Sequence, residues 1–593
     1  MRQLVLWVYL LFIPRIANCQ TMWITGAVED SVNHNPLPGI VVTAMQDTAH
    51  TMTNQFGLFR IAVPVSTRQL RFEHGKYVAR IVNIAAENRM LVALKPKPPA
   101  LDAITIAKIN ARRTHSVNPN YGNVQMGVRT FYNETYSTLY ENRFIATRNN
   151  PRSFFAVDVD RAAYSNVRRF IRLKESIPND AVRIEEMVNY FHYHYPLPPK
   201  DSTLAVFSQY ATCPWDSSHH LLQVIVRARK VNCDSLPPSN LVFLIDVSGS
   251  MGAPNKLPLL QAAFRILVMN LRPVDKVAIV AYAGAPGIVL PSTPGDQKEK
   301  ILNAIDNLNA GGATAGEAAI KMAYQQATLN YVIDGNNRVI LATDGDFNVG
   351  MTSDQAMQDL ITEKRETGVW LTCLGFGMGD YKDSKLQTLS NKGNGNFAYI
   401  DNMDEATKIF AHEYGSTMFT VAKDVKAEVN FNPALVSHYR LIGYENKVLT
   451  DDTSSAPVFS GGIVGSDHCA VATYEIVPAG GQSPADSLIA SIDLSYRLPA
   501  ESTTRSLHQE LKPALADFTE APADFRFASA VSLFGMLLRK SAFVGNGNID
   551  MVMSIAKAAL DKDPEGYRAE FLKMAKSVKK ESTLWIGPNV ARH

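Results

Sequence analysis

The stretch FLIDVSGSM, Phe243–Met251, decides the fold of the largest part of this chain. An unbroken apolar run, Leu241 to Ile245, ends abruptly in Asp246, and Ser248 and Ser250 follow at alternate positions around Gly249. A strand apolar on both faces belongs inside a sheet that is covered on both sides. Outward from it, the runs LVFLI, KVAIVAYAG, RVILATDGD, VWLTCLGFG and NFAYID alternate with stretches of helical periodicity such as KLPLLQAAFRILVMNL, AGEAAIKMAYQQATLNY and SDQAMQDLITEKRE. MDEATKIFAHEY closes the series. Such alternation predicts a doubly wound, Rossmann-like α/β domain with a parallel sheet over residues 239–420.

In an open α/β sheet, ligands bind outside the carboxyl ends of the strands, where strand order reverses. Asp246, Ser248 and Ser250 stand at such an end. NAGGATAGEAA puts Thr314 on a glycine-rich loop before a helix, and LATDGDFN puts Asp344 at the end of a later strand. Those loops open on one edge, so two carboxylates and three hydroxyls converge. Hard oxygen donors of this kind suit a hard divalent cation. Asp346 is read as a turn residue.

D-x-S-x-S followed by a threonine and an aspartate resembles the metal-ion-dependent adhesion site of von Willebrand factor type A domains, at Asp246, Ser248, Ser250, Thr314 and Asp344. The resemblance implies Mg²⁺, with Mn²⁺ or Ca²⁺ as alternatives, held through Ser248, Ser250 and Thr314. Asp246 and Asp344 would then act through water or through hydrogen bonds to those ligands. It further implies a coordination position open to a glutamate or aspartate of a partner protein. SFFAVDVDRAAYSNVRRFI, DAVRIEEMVNYFHYHYP and CPWDSSHHLLQV resemble the N-terminal flank of one bacterial group of exported and lipid-anchored proteins with this domain. YRLIGYEN and FASAVSLFGMLLRKS resemble that group's C-terminal domain of unassigned function.

Residues 1–19 read as an export signal: Arg2, an apolar stretch too short to span a bilayer, then small residues before Gln20. Ile16–Cys19 also resembles a lipobox, which would place a lipid on Cys19; ordinary cleavage before Gln20 is the alternative. Residues 22–97 alternate in short strands broken by turns, the pattern of a small β-sandwich. Gly26-x-Val28-x-Asp30, Pro38-Gly39, Thr53-x-x-x-Gly57-x-Phe59 and Gly75-x-Tyr77 resemble the carboxypeptidase regulatory-like domain, a transthyretin-like sandwich without peptidase activity. Residues 98–150 read as linker and irregular chain, and 151–236 as a flank, first helical and then β. Residues 424–500 continue that β character, so the α/β domain is inserted in a β-sandwich. Residues 524–582 read as a helical C-terminal domain, with Asp563 capping its last helix. Asp158 and Asp160 are read as helix-start residues, and His192 and His194 as packing or surface histidines. Of the cysteines after the signal, Cys213 and Cys233 flank strand-like runs, as a disulfide or as free thiols; Cys373 reads as a buried thiol, and the state of Cys469 stays open.

The 59 basic and 56 acidic residues nearly balance, which gives no surface for nucleic acid. The chain has no G-x-x-x-x-G-K-[ST] phosphate loop, no G-x-S-x-G elbow and no H-E-x-x-H. The expectation is therefore an exported, non-enzymatic module in the periplasm, at the outer membrane or on the cell surface. It would bind the carboxylate of a protein partner through a divalent metal, and touch a membrane only through a lipid on Cys19. The alternatives are an accessory subunit of an envelope machine with a structural metal, and a hydrolase using Ser248 or Ser250.

Overall fold

A computed structural model describes residues 21–31, 36–45, 47–84, 89–95, 128–131, 134–232, 236–283, 286–312, 316–345, 354–378, 381–445, 462–480, 488–499, 501–561 and 563–581. The chain forms two compact units, Met1–His115 and Ser116–His593.

The first unit is a β-sandwich. Leu58–Pro64, Thr21–Asp30 and Arg89–Leu94 form one sheet, in that order, and His50–Met52, Val41–Ala44, Gln69–His74 and Tyr77–Asn83 the other. Alternate residues of both sheets, including Ile24, Val28, Val42, Ile61, Leu70 and Val92, are buried between them, as period-two patterning requires. Phe59 and Phe72 meet edge to face with centroids 5.4 Å apart. Gly26 is required by close approach: a Cβ there would stand 2.3 Å from the Met90 carbonyl oxygen.

In the second unit, the α/β domain contains β1 (Ser239–Asp246), β2 (Lys276–Tyr282), β3 (Pro286–Pro294), β4 (Asn336–Thr343), β5 (Trp370–Phe376) and β6 (Phe397–Ile400). They lie in the order β3-β2-β1-β4-β5-β6, which places β1 inside the sheet. Its helices are α1 (Leu257–Met269), α2 (Lys298–Asp306), α3 (Gly316–Leu329), α4 (Asp354–Glu366), α5 (Asp383–Lys392), α6 (Met403–Thr407) and α7 (Tyr414–Met418), with a π-helical turn, Lys408–His412, between the last two. Leu241, Phe243 and Ile245 of β1 pack under α1, α2 and the α6–α7 segment. Val242 and Leu244 pack under α3, α4 and α5. Each such buried side chain stabilises the fold by roughly 1.5–3 kcal/mol.

The sheet departs from the expected all-parallel arrangement in one strand. β3 runs antiparallel to β2 at the sheet edge. Its prolines, Pro286, Pro291 and Pro294, lack amide donors, which an edge strand tolerates.

The α/β domain is inserted between Ala228, the end of a strand in a six-stranded sheet, and Thr420, the start of a strand in the facing sheet. The six-stranded sheet orders Ile145–Ala146, Val436–Ile442, Cys469–Pro478, His220–Ala228, Leu204–Thr212 and Leu515–Ala516. The facing sheet comprises Arg152–Phe155, Thr420–Phe431, Ala490–Arg497 and Arg505–Leu511, with Gly462–Gly465 beside Thr420–Phe431. Leu222, Val224 and Val226 point into the sandwich, whereas Leu221 and Ile225 point to the opposite face. There they meet the C-terminal helices Ala523–Arg539, Ile549–Ala558 and Tyr567–Lys580 together with the flank helix Ala162–Leu173. The C-terminal helices thus share a core with the flank.

Part of 98–150 is ordered rather than irregular: Val128–Phe131 pairs with Glu134–Ser137, and Ile145–Ala146 pairs with Val436–Ile442. Asn142 Nδ2 donates to the carbonyls of Leu441 and Gly443, so side chains fix this stretch where periodicity is weak. Asp160 does not start a helix; its Oδ1 accepts the Phe397 amide at 2.9 Å, tying the flank to β6. Asp563 is not the residue at the helix start: the last helix begins at Tyr567 after Gly566, and Asp563, outside it, accepts the amides of Arg568 and Ala569 in its first turn. Cys213, Cys373 and Cys469 are free and buried; Cys19 and Cys233 lie outside the described residues.

Candidate metal site

Asp246 is the last residue of β1 and is fully buried. Its Oδ1 accepts the Ser248 amide at 2.9 Å, an Asx-type turn that folds the following loop back over the strand end. Its Oδ2 accepts the Thr343 hydroxyl at 2.9 Å, and Thr343 Oγ1 in turn accepts the Gly345 amide at 3.1 Å. Ser248 is buried and Ser250 exposed, and their Oγ atoms lie 3.1 Å apart. Between them Gly249 begins a 3₁₀ turn, Gly249–Gly252, that is anchored by buried Met251.

Asp344 follows β4 and is 2% exposed. The Lys256 ammonium donates to its Oδ2 at 2.9 Å. Thr314 and Asp346 lie outside the described residues. The backbone leading to Thr314 is nonetheless fastened to the serine loop: the Gly249 amide donates to Gly312 O at 3.0 Å, and the Gly311 amide to Val247 O at 2.8 Å. Of the five residues expected from sequence, the structure therefore brings Asp246, Ser248, Ser250 and Asp344 to the carboxyl edge of the sheet.

Burial pushes the Asp246 carboxyl above the usual carboxylate range; its hydrogen bonds from Ser248 and Thr343 oppose this, and the Asp344 charge adds to it. Burial, followed by the Asp246 charge, also raises the Tyr282 phenol, which lies at the end of β2 beside the same group. Two buried carboxylates thus stand at one strand edge, with the Lys256 ammonium against Asp344. Carboxylates and neutral hydroxyl oxygens are the donors a hard divalent cation takes, so the residues present fit the metal. Among the described residues, no group of three or more histidine, cysteine or acidic side chains is placed to hold a metal ion.

Sequence reading missed Thr343, Lys256 and Tyr282. Thr343 reads as the last residue of a buried strand, and its place directly before Asp344 is the one available clue. Lys256 reads as an ordinary polar residue at a helix start. Tyr282 reads as core.

A family model described as von Willebrand factor type A domain matches residues 240–412. One described as von Willebrand factor matches residues 130–223. A third, described as the C-terminal part of uncharacterized protein YfbK, matches residues 416–580. Uncharacterized protein YfbK of Escherichia coli (strain K12) is 36% identical over 498 residues, which cover 80% of this chain and 84% of that protein. Uncharacterized protein sll0103 of Synechocystis is 28% identical over 211 residues, 35% of this chain and 49% of that protein. Among solved structures, von Willebrand factor type A from Catenulispora acidiphila aligns with a TM-score of 0.37 and 16% identity, covering 64% of this chain and 91% of that one.

Proposed function

Because the chain belongs to the von Willebrand factor type A proteins of the YfbK family, we propose that it is a divalent-metal-dependent protein-binding module of the cell envelope. One observation carries this reading. Two buried carboxylates, Asp246 and Asp344, stand at the carboxyl edge of the sheet beside paired serine hydroxyls. Asp246, Ser248, Ser250 and Asp344, with Thr314 as the sequence pattern adds it, would hold Mg²⁺. The bound ion would supply an electrophilic position for an aspartate or glutamate of a partner protein. Asp246 orients the serine loop through the Ser248 amide, and Thr343 fixes the carboxylate that does so.

Binding fits this site better than hydrolysis. A serine nucleophile needs a base free to take its proton; the carboxylate beside Ser248 is that of Asp246, whose two oxygens already accept the Ser248 amide and the Thr343 hydroxyl. Export is part of the same proposal and rests on the apolar stretch and small residues within 1–19, which lie outside the described residues. No helix among the described residues is long and apolar enough to cross a membrane.

Thermal melting of EDTA-stripped full-length protein tests the metal. Mg²⁺ should raise the midpoint, and Asp246→Ala should remove that rise while leaving the metal-free protein folded. An equal rise in Asp246→Ala would defeat the assignment. Retention of an envelope protein in Mg²⁺, lost in EDTA and lost in Asp246→Ala, tests the binding role. If every retained protein persists in both, the metal is structural.

A further inference from the structure

Lys256 is the group beside the site that the metal reading does not use. The residue is 7% exposed, and its ammonium bonds Asp344 Oδ2 at 2.9 Å. It immediately precedes α1, and its own amide donates to Ala253 O while its carbonyl accepts the Leu260 amide. The backbone is therefore fixed on both sides of the residue. Its aliphatic stem lies against Gly377, just past β5. A Cβ on Gly377 would stand 2.5 Å from Lys256 Cε and 2.6 Å from Cγ, and Gly377 has a φ of +80°, which other residues adopt rarely. The fold thus provides a fitted passage for a buried lysine and ends it on a carboxylate of the candidate metal site.

A buried ammonium is costly unless it is paired. Here the pairing carboxylate is one that the metal reading also requires. An ammonium and a divalent ion serving one buried carboxylate repel each other. We propose that Lys256 is the resident counter-ion of this site: it neutralises Asp344 in the metal-free protein and competes with the divalent ion, holding the site's affinity below what its oxygen donors alone would give. This rests on the metal reading above. The site then fills only when free metal is plentiful, and the metal-free protein keeps Asp344 in place without it.

Direct Mn²⁺ titration of the EDTA-stripped full-length protein, followed by the electron paramagnetic resonance of free Mn²⁺, tests this. Lys256→Met should bind Mn²⁺ about tenfold or more tighter than the unchanged protein, because a like charge is removed. Lys256→Gln, which keeps a donor for Asp344 without the charge, should tighten binding in the same direction and covers the case in which the methionine variant does not fold. Lys256→Arg, which keeps the charge, should stay within about threefold. If the unchanged protein binds Mn²⁺ and the folded Met or Gln variant binds equally or more weakly, the competition is overturned and the metal reading stands. If neither the unchanged protein nor these variants bind Mn²⁺ while their circular dichroism is native, the metal reading fails and the competition fails with it.

Discussion

Glu185 is buried. Its Oε2 accepts the Tyr444 amide at 2.9 Å, while Oε1 has no hydrogen-bond partner among the described residues. Burial, then the charges of Glu445 and Glu186, raise its carboxyl to about 7 from an ordinary 4.5. Between those values the native protein holds a proton that the unfolded chain releases. The stabilisation is complete below about 4.5 and is lost as pH rises through about 7. Glu185→Gln keeps the shape and removes the titration. It should match the unchanged protein near pH 4.5 and exceed it at pH 8 by on the order of 2–3 kcal/mol, read by urea unfolding at the two pH values. His468 acts in the opposite window. Burial lowers its imidazole to about 4 from 6.5, so its contribution is complete above about 6.5 and is lost as pH falls through about 4. At this scale the candidate site was legible where spacing carried it. The alternation Asp246, Ser248, Ser250 can be read from a line of letters, because a strand end and a short turn place consecutive residues predictably. Lys256 could not be read, because its meeting with Asp344 depends on how α1 leaves the loop and on the space left by Gly377, which are three-dimensional facts. Glu185 was equally hidden: nothing local distinguishes a buried glutamate from a solvated one on a short helix.

The segment Met403–Met418 was read as one closing helix, and its apolar spacing supports that. The structure breaks it at the π-helical turn, where the Glu413 amide donates to Lys408 O at 2.8 Å. On a regular α-helix, residues five apart point about 140° from each other; the wider turn brings Lys408 and Glu413 to one side. The fully buried Lys408 ammonium bonds Glu413 and lies 4.6 Å and 4.7 Å from the ring centroids of Tyr190 and Tyr567. Glu413 also meets Arg161 and accepts from His192 Nε2 at 2.7 Å. The last helical segment of the α/β domain is thereby clamped to the flank and to the C-terminal helices. Burial alone would push the Glu413 carboxyl up, but Arg161 and Lys408 hold it well below the usual carboxylate range. Its stabilisation is therefore present above the ordinary value of 4.5 and declines only as pH falls below it, toward the depressed folded value. Glu413→Gln leaves the cations facing a neutral amide and should cost roughly 3–5 kcal/mol at pH 7. Lys408→Met should cost less, because Arg161 and His192 still serve the carboxylate and the methionine packs against both tyrosines. Equal losses in the two variants, measured by urea unfolding, would show that the lysine rather than the carboxylate organises the clamp. β3 marks the same limit of legibility from the other side. Pro286–Pro294 belongs to none of the apolar runs that predict strands, and its place at the sheet edge is what lets its prolines sit in one.

The molecule as a whole follows from one topological choice, the insertion of the α/β domain between Ala228 and Thr420 of a sandwich. Alternating β runs on both sides of the α/β stretch made that arrangement readable. What they left hidden was the second face of the six-stranded sheet, where Leu221 and Ile225 meet helices drawn from both ends of the unit. The contact joins residues some three hundred positions apart, beyond the reach of any periodicity. All described donors of the candidate site, the sandwich and these helices lie within Ser116–His593, while the β-sandwich of Met1–His115 buries its own apolar residues, among them Ile24, Ile61 and Phe72. The second unit should therefore fold without the first. A protein of residues 116–593 should unfold cooperatively, and Mg²⁺ should raise its melting midpoint by the same amount as in the full chain, to within about 1 °C, a difference that corresponds to about 1 kcal/mol in a unit of this size. A Mg²⁺ response that disappears on removing residues 1–115, with circular dichroism unchanged over the rest, would mean that the first unit supplies part of the site. A response that persists would locate all of the metal chemistry in the inserted domain and leave the first sandwich free for a separate role.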